Sequence, residues 1–228
     1  MKGYFSRGEV ILWGMSVAVI IAAFLIFDGE GYTTPAASLV GVTSLIFAAK
    51  GNPTGQFLMI IFSLMYGWIS YTFAYYGEMI TYCGMTMPMA VVALVSWLKN
   101  PYEGNRAEVK INSVGKREIV FMVVVSVVVT GMFYFVLERF GTANIGFSTL
   151  SVTTSFIAVY LTFRRSEYFA LVYAANDIVL IVMWIMASME DRRYISVVVC
   201  FMAFLLNDVY GFINWGRMKK RQKNGVRE

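Results

Sequence analysis

The 228-residue chain has no histidine, only two cysteines and four prolines, and Lys, Arg, Asp and Glu make up just 14% of it. Each shortage excludes something. Without histidine the commonest metal ligand and the usual proton shuttle are missing. Cys83 and Cys200 both fall inside apolar stretches, so they define neither a disulfide framework nor a metal-ligand spacing. So little charge, set against 58% hydrophobic residues, excludes an ordinary soluble domain. No Gly-rich phosphate cradle is seen and no arginine lies deep in an apolar run, so a strongly anionic solute would find no counter-charge. The serines have no histidine to activate them, and the Lys and Arg residues lie in loops.

What the chain does have is apolar runs of about 20 residues, the length that crosses a bilayer as a helix. Eight are marked, at 9–27, 33–49, 55–76, 79–98, 118–138, 142–163, 167–188 and 193–215. They predict an all-α polytopic membrane protein. The first run resembles a signal peptide after Lys2 and Arg7. It is long for one, and Asp28-Gly29-Glu30 stands where a small-residue cleavage site belongs, so a retained span is expected. Pro35 suits the first turn of the second span, Lys50-Gly51-Asn52-Pro53 ends it as a turn, and Pro88 predicts a kink in the fourth.

Sixteen of the 19 Lys and Arg residues fall on one side of this eight-span topology, counting the N-terminus, the connections after spans 2, 4 and 6, and the C-terminal tail. The positive-inside rule makes that side cytoplasmic, with both termini inside an inner (plasma) membrane. The basic tail from Lys219 to Lys223 fits an orientation signal that meets anionic lipid. No aromatic residues interleave with the basic ones as a nucleic-acid partner would require.

A weak internal duplication is present. Trp97 near the end of span 4 pairs with Trp215 in span 8, Trp68 in span 3 with Trp184 in span 7, and Gly41-Val42-Thr43-Ser44 with Ser151-Val152-Thr153-Thr154, at offsets of 118, 116 and 110. Three helices plus a linker make four crossings, so the repeats run in the same direction. The expected layout is an extra N-terminal helix (1–31), a first repeat (32–98), a cytoplasmic loop and linker helix (99–138), a second repeat (139–217) and a basic tail (218–228).

The deep carboxylates are Asp177 and Asp208, each following an asparagine, Asn176 and Asn207. A charge in hydrocarbon costs about 2.5–3.5 kcal/mol even on the mildest scale, so each calls for a partner or a wet cavity. Helical spacing extends both clusters. Asn207, Tyr210, Gly211 and Asn214 share a face of span 8; Phe169, Tyr173, Asn176, Leu180 and Trp184 share one of span 7; Gln56, Ser63, Tyr66 and Ser70 lie along span 3. Ser, Thr and Gly at such positions commonly serve helix packing. Trp215 fits an interfacial anchor. Rings converging with amides and carboxylates point to a flat, hydroxyl-bearing, neutral or cationic solute. The candidate binding residues are Asn176, Asp177, Asn207, Asp208, Tyr210, Asn214, Tyr173, Trp184, Phe169, Tyr66 and Gln56, with no metal and no cofactor.

These residues resemble the PnuC family of vitamin transporters. The likeness covers about 32–217 and rests on Lys50-Gly51-Asn52, Gly55 and Tyr66-Gly67-Trp68, then on Arg164-Arg165-Ser166-Glu167, Asn176, Asn207, Tyr210-Gly211 and Trp215. It implies a 3+1+3 core related to the SWEET plan, preceded by one extra helix. It also implies a homotrimer and uptake of nicotinamide riboside by facilitated diffusion, followed by trapping through cytoplasmic phosphorylation. The family pattern Glu-x-Trp-x-x-Trp-x-x-x-Asn is met here by Glu167 and Asn176, but Phe169 and Val172 stand where tryptophans are expected. Thiamin, riboflavin and deoxynucleosides stay open as solutes, as does proton coupling through Asp177 or Asp208. Two other classes stand beside transport: an intramembrane enzyme using those two aspartates as a dyad, and a membrane scaffold without transport.

Overall fold

A computed structural model describes residues 4–29, 32–72, 76–142 and 144–225. Glu30, the 73–75 end of the third expected span and Arg227 of the tail lie outside the described residues. The helices are α1 (Arg7–Phe27), α2 (Thr33–Ala49), α3 (Pro53–Thr72), α4 (Tyr76–Thr81), α5 (Met87–Lys99), α6 (Lys116–Arg139), α7 (Ile145–Phe163), α8 (Phe169–Ser188) and α9 (Ile195–Gly225). Helices α4 and α5 form one passage through a π-helical turn at Tyr82–Thr86. Six passages are long and apolar enough to cross a membrane alone. Helix α2, with 17 residues, spans about 25 Å at 1.5 Å per residue. The chain is an all-α, multi-pass membrane protein.

The π turn has a local cause. Pro88 carries no N–H for the carbonyl of Gly84, and its ring crowds that oxygen. The preceding turn widens, so the Met87 N–H donates to Tyr82 O, five residues back. The expected irregularity at Pro88 is therefore a bulge that re-aims Tyr82 and Thr86.

Helix α1 starts with a capping box: Ser6 N–H donates to Glu9 at 2.6 Å, and Glu9 N–H to the Ser6 hydroxyl. The same Glu9 pairs with Lys50 at 3.0 Å and accepts from the Tyr210 hydroxyl at 2.7 Å, tying α1 to α2 and α9. One end of the bundle gathers the sequence's basic segments. Asn52 donates to the Tyr4 hydroxyl, Val109 N–H to Gly51 O, Asn112 N–H to Arg165 O, and Ile111 N–H to the Gln222 side chain. The connection expected as loop at 99–117 contains a two-stranded hairpin, β1 (Pro101–Tyr102) with β2 (Asn105–Val109). Its turn residues Glu103 and Gly104 both have positive φ, and glutamate is an unusual residue for such a turn.

Helices α2 and α7 end alike. Gly51 N–H bonds Ala48 O and Asn52 N–H bonds Phe47 O; Arg165 N–H bonds Thr162 O and Ser166 N–H bonds Leu161 O. These are two Schellman ends, with Gly51 (φ 67°) and Arg165 (φ 57°) left-handed. Their offset is 114, so the four-residue match read at 110 is one helical turn out of register. Across the bundle Trp97 donates to Thr162 O at 2.8 Å and Trp215 to Ala48 O at 2.9 Å. Ser96 donates to Phe163 O and Asn214 to Ala49 O, at 2.9 and 2.8 Å. The two bonds of each pair are related by the same offsets. Trp68 and Trp184 match in position but not in surroundings, at 62% and 2% exposed.

Helices α2 and α3 touch at Gly55. A Cβ there would lie 2.5 Å from Ala48 N and 2.9 Å from Ser44 O, both backbone atoms. Gly55→Ala is expected to cost the roughly 1–3 kcal/mol of an overpacked core. It should show as a lower melting temperature in detergent; an unchanged one would mean that the two helices are free to part here.

Candidate functional site

Near the middle of the bundle a cavity of about 30 Å³ lies between α2, α3, the π turn, α7, α8 and α9. Tyr173, Asn176 and Asp177 from α8, Asp208 from α9, Ser155 from α7 and Thr86 from the π turn give it polar groups; Phe62, Tyr82, Phe201 and Phe204 give it rings. Its polar edge is held in place from α7. The Asn176 carbonyl oxygen accepts from Thr154 at 2.7 Å, Ser155 at 3.1 Å and Ser151 at 3.4 Å. Three hydroxyl donors fix which way the amide points and leave its NH2 as the group free for a solute. The small hydroxyl residues of α7 thus act as a second layer behind Asn176.

Asp177 and Asp208 are both buried, and they face the same cavity from α8 and α9. Asp177 Oδ2 meets no donor among the described residues. Two carboxyl groups on one small cavity repel when both are ionised, so the arrangement calls for a proton or a cation between them. Among the described residues, the ion pairs lie at the ends of the bundle and include neither aspartate.

Of the eleven candidate residues, four line this cavity: Tyr173, Asn176, Asp177 and Asp208. The others are placed elsewhere. Asn207 donates to the Ser16 hydroxyl at 2.9 Å and to Ala203 O, joining α9 to α1. Tyr210 reaches Glu9 of α1, and Asn214 reaches Ala49 O of α2. The polar stripe of α9 therefore faces the neighbouring helices; only Asp208, on its edge, turns inward. Phe169 packs edge-on against Trp215 at 4.8 Å and Trp97 at 6.2 Å, near the basic end. Trp215 is fully buried there, 5.4 Å from Trp97, which corrects its reading as an interfacial anchor. Gln56 is buried in α3 away from the central cavity. Tyr66 sits 4.5 Å from Tyr82 with its hydroxyl against the Trp184 indole. Trp184 itself lines a second, outer cavity together with Glu78 and Glu190.

The sequence reading missed Tyr82 and Thr86, which the π turn brings in, and the rings Phe62, Phe201 and Phe204. The proline six residues past Tyr82, itself preceded by Thr81, is the one signal that could have found the first two. The three phenylalanines carry no signal that separates them from ordinary core.

The sequence profile of the nicotinamide mononucleotide transporter family matches residues 31–217. The chain belongs to this family, the PnuC transporters. Among its relatives in the family, the nicotinamide riboside transporter PnuC of Neisseria mucosa is 28% identical over 215 residues, which cover 92% of this chain and 81% of the relative. The Haemophilus influenzae protein of the same description is 24% identical over 217 residues, covering 92% and 93%. A crystal structure of the vitamin B3 transporter PnuC superposes with a TM-score of 0.84 at 25% identity, covering 96% of this chain and 95% of that one. The PnuC pattern's two tryptophan positions, here Phe169 and Val172, both fall in the cluster around Trp97 and Trp215. That departure alters the packing of the basic end and leaves the walls of the central cavity untouched.

Proposed function

We propose that this chain takes up nicotinamide riboside by facilitated diffusion through an inner membrane, with both termini cytoplasmic and with cytoplasmic phosphorylation trapping the solute. The observation that carries the reading is the central cavity, where two carboxyl groups and an oriented amide face a wall of aromatic rings. A pyridinium ring is flat and cationic, and its ribose offers hydroxyls, so rings, carboxylates and amide each find a counterpart. The names of the two relatives support the same solute. The gathering of the basic segments at one end supports the orientation, and a homotrimer follows the family resemblance.

The cavity, at about 30 Å³, is an order of magnitude below the roughly 300–1,000 Å³ of small-molecule sites. Solute entry therefore requires the bundle to open. The rings of Tyr66, Tyr82 and Phe201 close the outer side, and the Trp97–Trp215–Phe169 cluster closes the basic side. In this reading repeats at 32–98 and 139–217 rock about the site, opening one closure at a time. The matched hydrogen bonds of Trp97 and Trp215 support such a division.

Thiamin is the second reading, since it too offers a flat cationic ring to the carboxyl pair. A thermal-shift panel on purified protein separates them. Nicotinamide riboside at a hundred times its dissociation constant is expected to stabilise the fold by about 2.7 kcal/mol. Thiamin, riboflavin and deoxynucleosides should give less. A larger shift with any of these, or none with nicotinamide riboside, would overturn the assignment.

A further inference from the structure

A second cavity, of about 50 Å³, opens at the end of the bundle opposite the basic segments, between α4, α7 and the end of α8. Glu78, Thr142, Asn144, Ser148, Trp184 and Glu190 are among its walls. Glu78 is 4% exposed, and its Oε2 meets no donor among the described residues. It takes part in none of their ion pairs. The Thr142 hydroxyl beside it is likewise unpartnered. Glu190 stands exposed on the rim, while the Trp184 ring forms a buried wall, 2% exposed.

A carboxylate held out of water without a partner is costly unless a cation meets it. A cation over an indole face is attracted by the ring quadrupole, and a low-dielectric cleft of one sign of charge concentrates oppositely charged solutes at its mouth. We propose that this outer cavity is a separate binding site for the positively charged ring of the incoming solute, which docks between Glu78 and Trp184 before it reaches the central cavity. The two sites are joined along both elements. Tyr82, four residues after Glu78, is in the central wall, and Asp177 lies two helical turns before Trp184 on α8. Tyr66, 4.5 Å from Tyr82 and with its hydroxyl against the Trp184 indole, touches a wall residue of each. A cation leaving Glu78 thus passes from one carboxylate to the Asp177–Asp208 pair with an aromatic partition in between.

The inference rests on the proposed uptake of a cationic solute, and the test separates the two. Full-length protein in vesicles is given nicotinamide riboside, a cation, or its neutral dihydro form, and initial uptake is measured against concentration. Glu78→Gln is expected to raise the half-saturating concentration of the cation about tenfold and leave that of the neutral form unchanged. Glu190→Gln, exposed and harmless to folding, is expected to raise it about two- to threefold, an effect that added salt erases. Equal shifts for both solutes would make Glu78 structural, and no shift with either variant would remove the outer site; both results overturn the inference. Should Glu78→Gln fail to insert, the salt-sensitive Glu190→Gln effect decides alone. Wild type that takes up neither form overturns the uptake reading and this inference with it, whereas unshifted variants of an active wild type overturn only the outer site.

Discussion

Asp208→Asn is expected to abolish uptake of a cationic solute while the protein stays folded, inserted and at least as heat-stable as wild type. The two effects have one cause. Asp208 and Asp177 are buried on one cavity, and two carboxylates ionised together in a low-dielectric bundle repel. Replacing one by a neutral isostere relieves that repulsion, so the melting temperature should hold or rise. A cationic ring entering the cavity then meets half of its counter-charge. Removing one partner of a buried charge pair costs about 2–5 kcal/mol, or roughly thirty- to several-thousand-fold in affinity. Asp177→Asn should behave in the same way, and the double variant, which leaves the ring no counter-charge, should be at least as impaired as either single one. Vesicle uptake measured beside melting temperature checks this. Uptake within a few-fold of wild type in either single variant would take the pair out of the binding site.

Asn207 gives the contrast. It sits one residue before Asp208, but a step of one residue turns a side chain through about 100° on a helix. Its NH2 donates to Ser16 and to Ala203 O, while its carbonyl oxygen meets no donor among the described residues. Asn207→Ala should lower stability by about 0.5–1.5 kcal/mol, through the hydrogen bond lost to Ser16, whose hydroxyl still donates to Leu12 O, without changing which solute is carried.

These neighbours show what the sequence could and could not say about the site. The spans were legible because crossing lipid demands an unbroken apolar length, a constraint that six of the passages meet by themselves. The buried carboxylates were legible for the converse reason, that lipid tolerates none without a purpose. Which way each polar group turns was not. Asn207, Tyr210 and Asn214 share one face of α9 by spacing, but spacing does not say whether that face meets a cavity or another helix; α1 and α2 happen to lie there. The inward turn of Tyr82 and Thr86 depends on the π bulge before Pro88, which shifts all earlier residues around the helix by one position. The hairpin stayed hidden because its Glu103-Gly104 turn lacks the usual asparagine. The proposed duplication leaves only a faint trace in the sequence, since what the two halves share is helix ends and tryptophan hydrogen bonds: Gly51 matches Arg165, and Ala48 matches Thr162, with no common side chain.

The tryptophan bonds carry the second large effect. Trp97 and Trp215 are fully buried, lie 5.4 Å apart with their planes tilted by 47°, and each donates to a carbonyl at the end of a helix across the bundle. Trp97→Ala and Trp215→Ala should each cost about 3–5 kcal/mol, the price of emptying a large aromatic site. The double variant should cost less than the sum, because whichever ring goes first leaves the other without its partner. Phenylalanine substitutions remove the N–H and keep most of the ring, so about 0.5–1.5 kcal/mol is expected from each. Thr162 O and Ala48 O retain their bonds from Arg165 and Gly51. The phenylalanine variants also separate a mere packing role from that of a closure between the repeats. With Ser155→Cys as the only thiol, in a background lacking Cys83 and Cys200, a closure weakened at Trp97 or Trp215 admits a water-soluble maleimide from the basic end. The labelling rate should then rise in both variants by similar factors, as expected of equivalent bonds in two repeats. If melting temperatures fall while labelling stays at the wild-type rate, the tryptophans hold the bundle together but do not close its path.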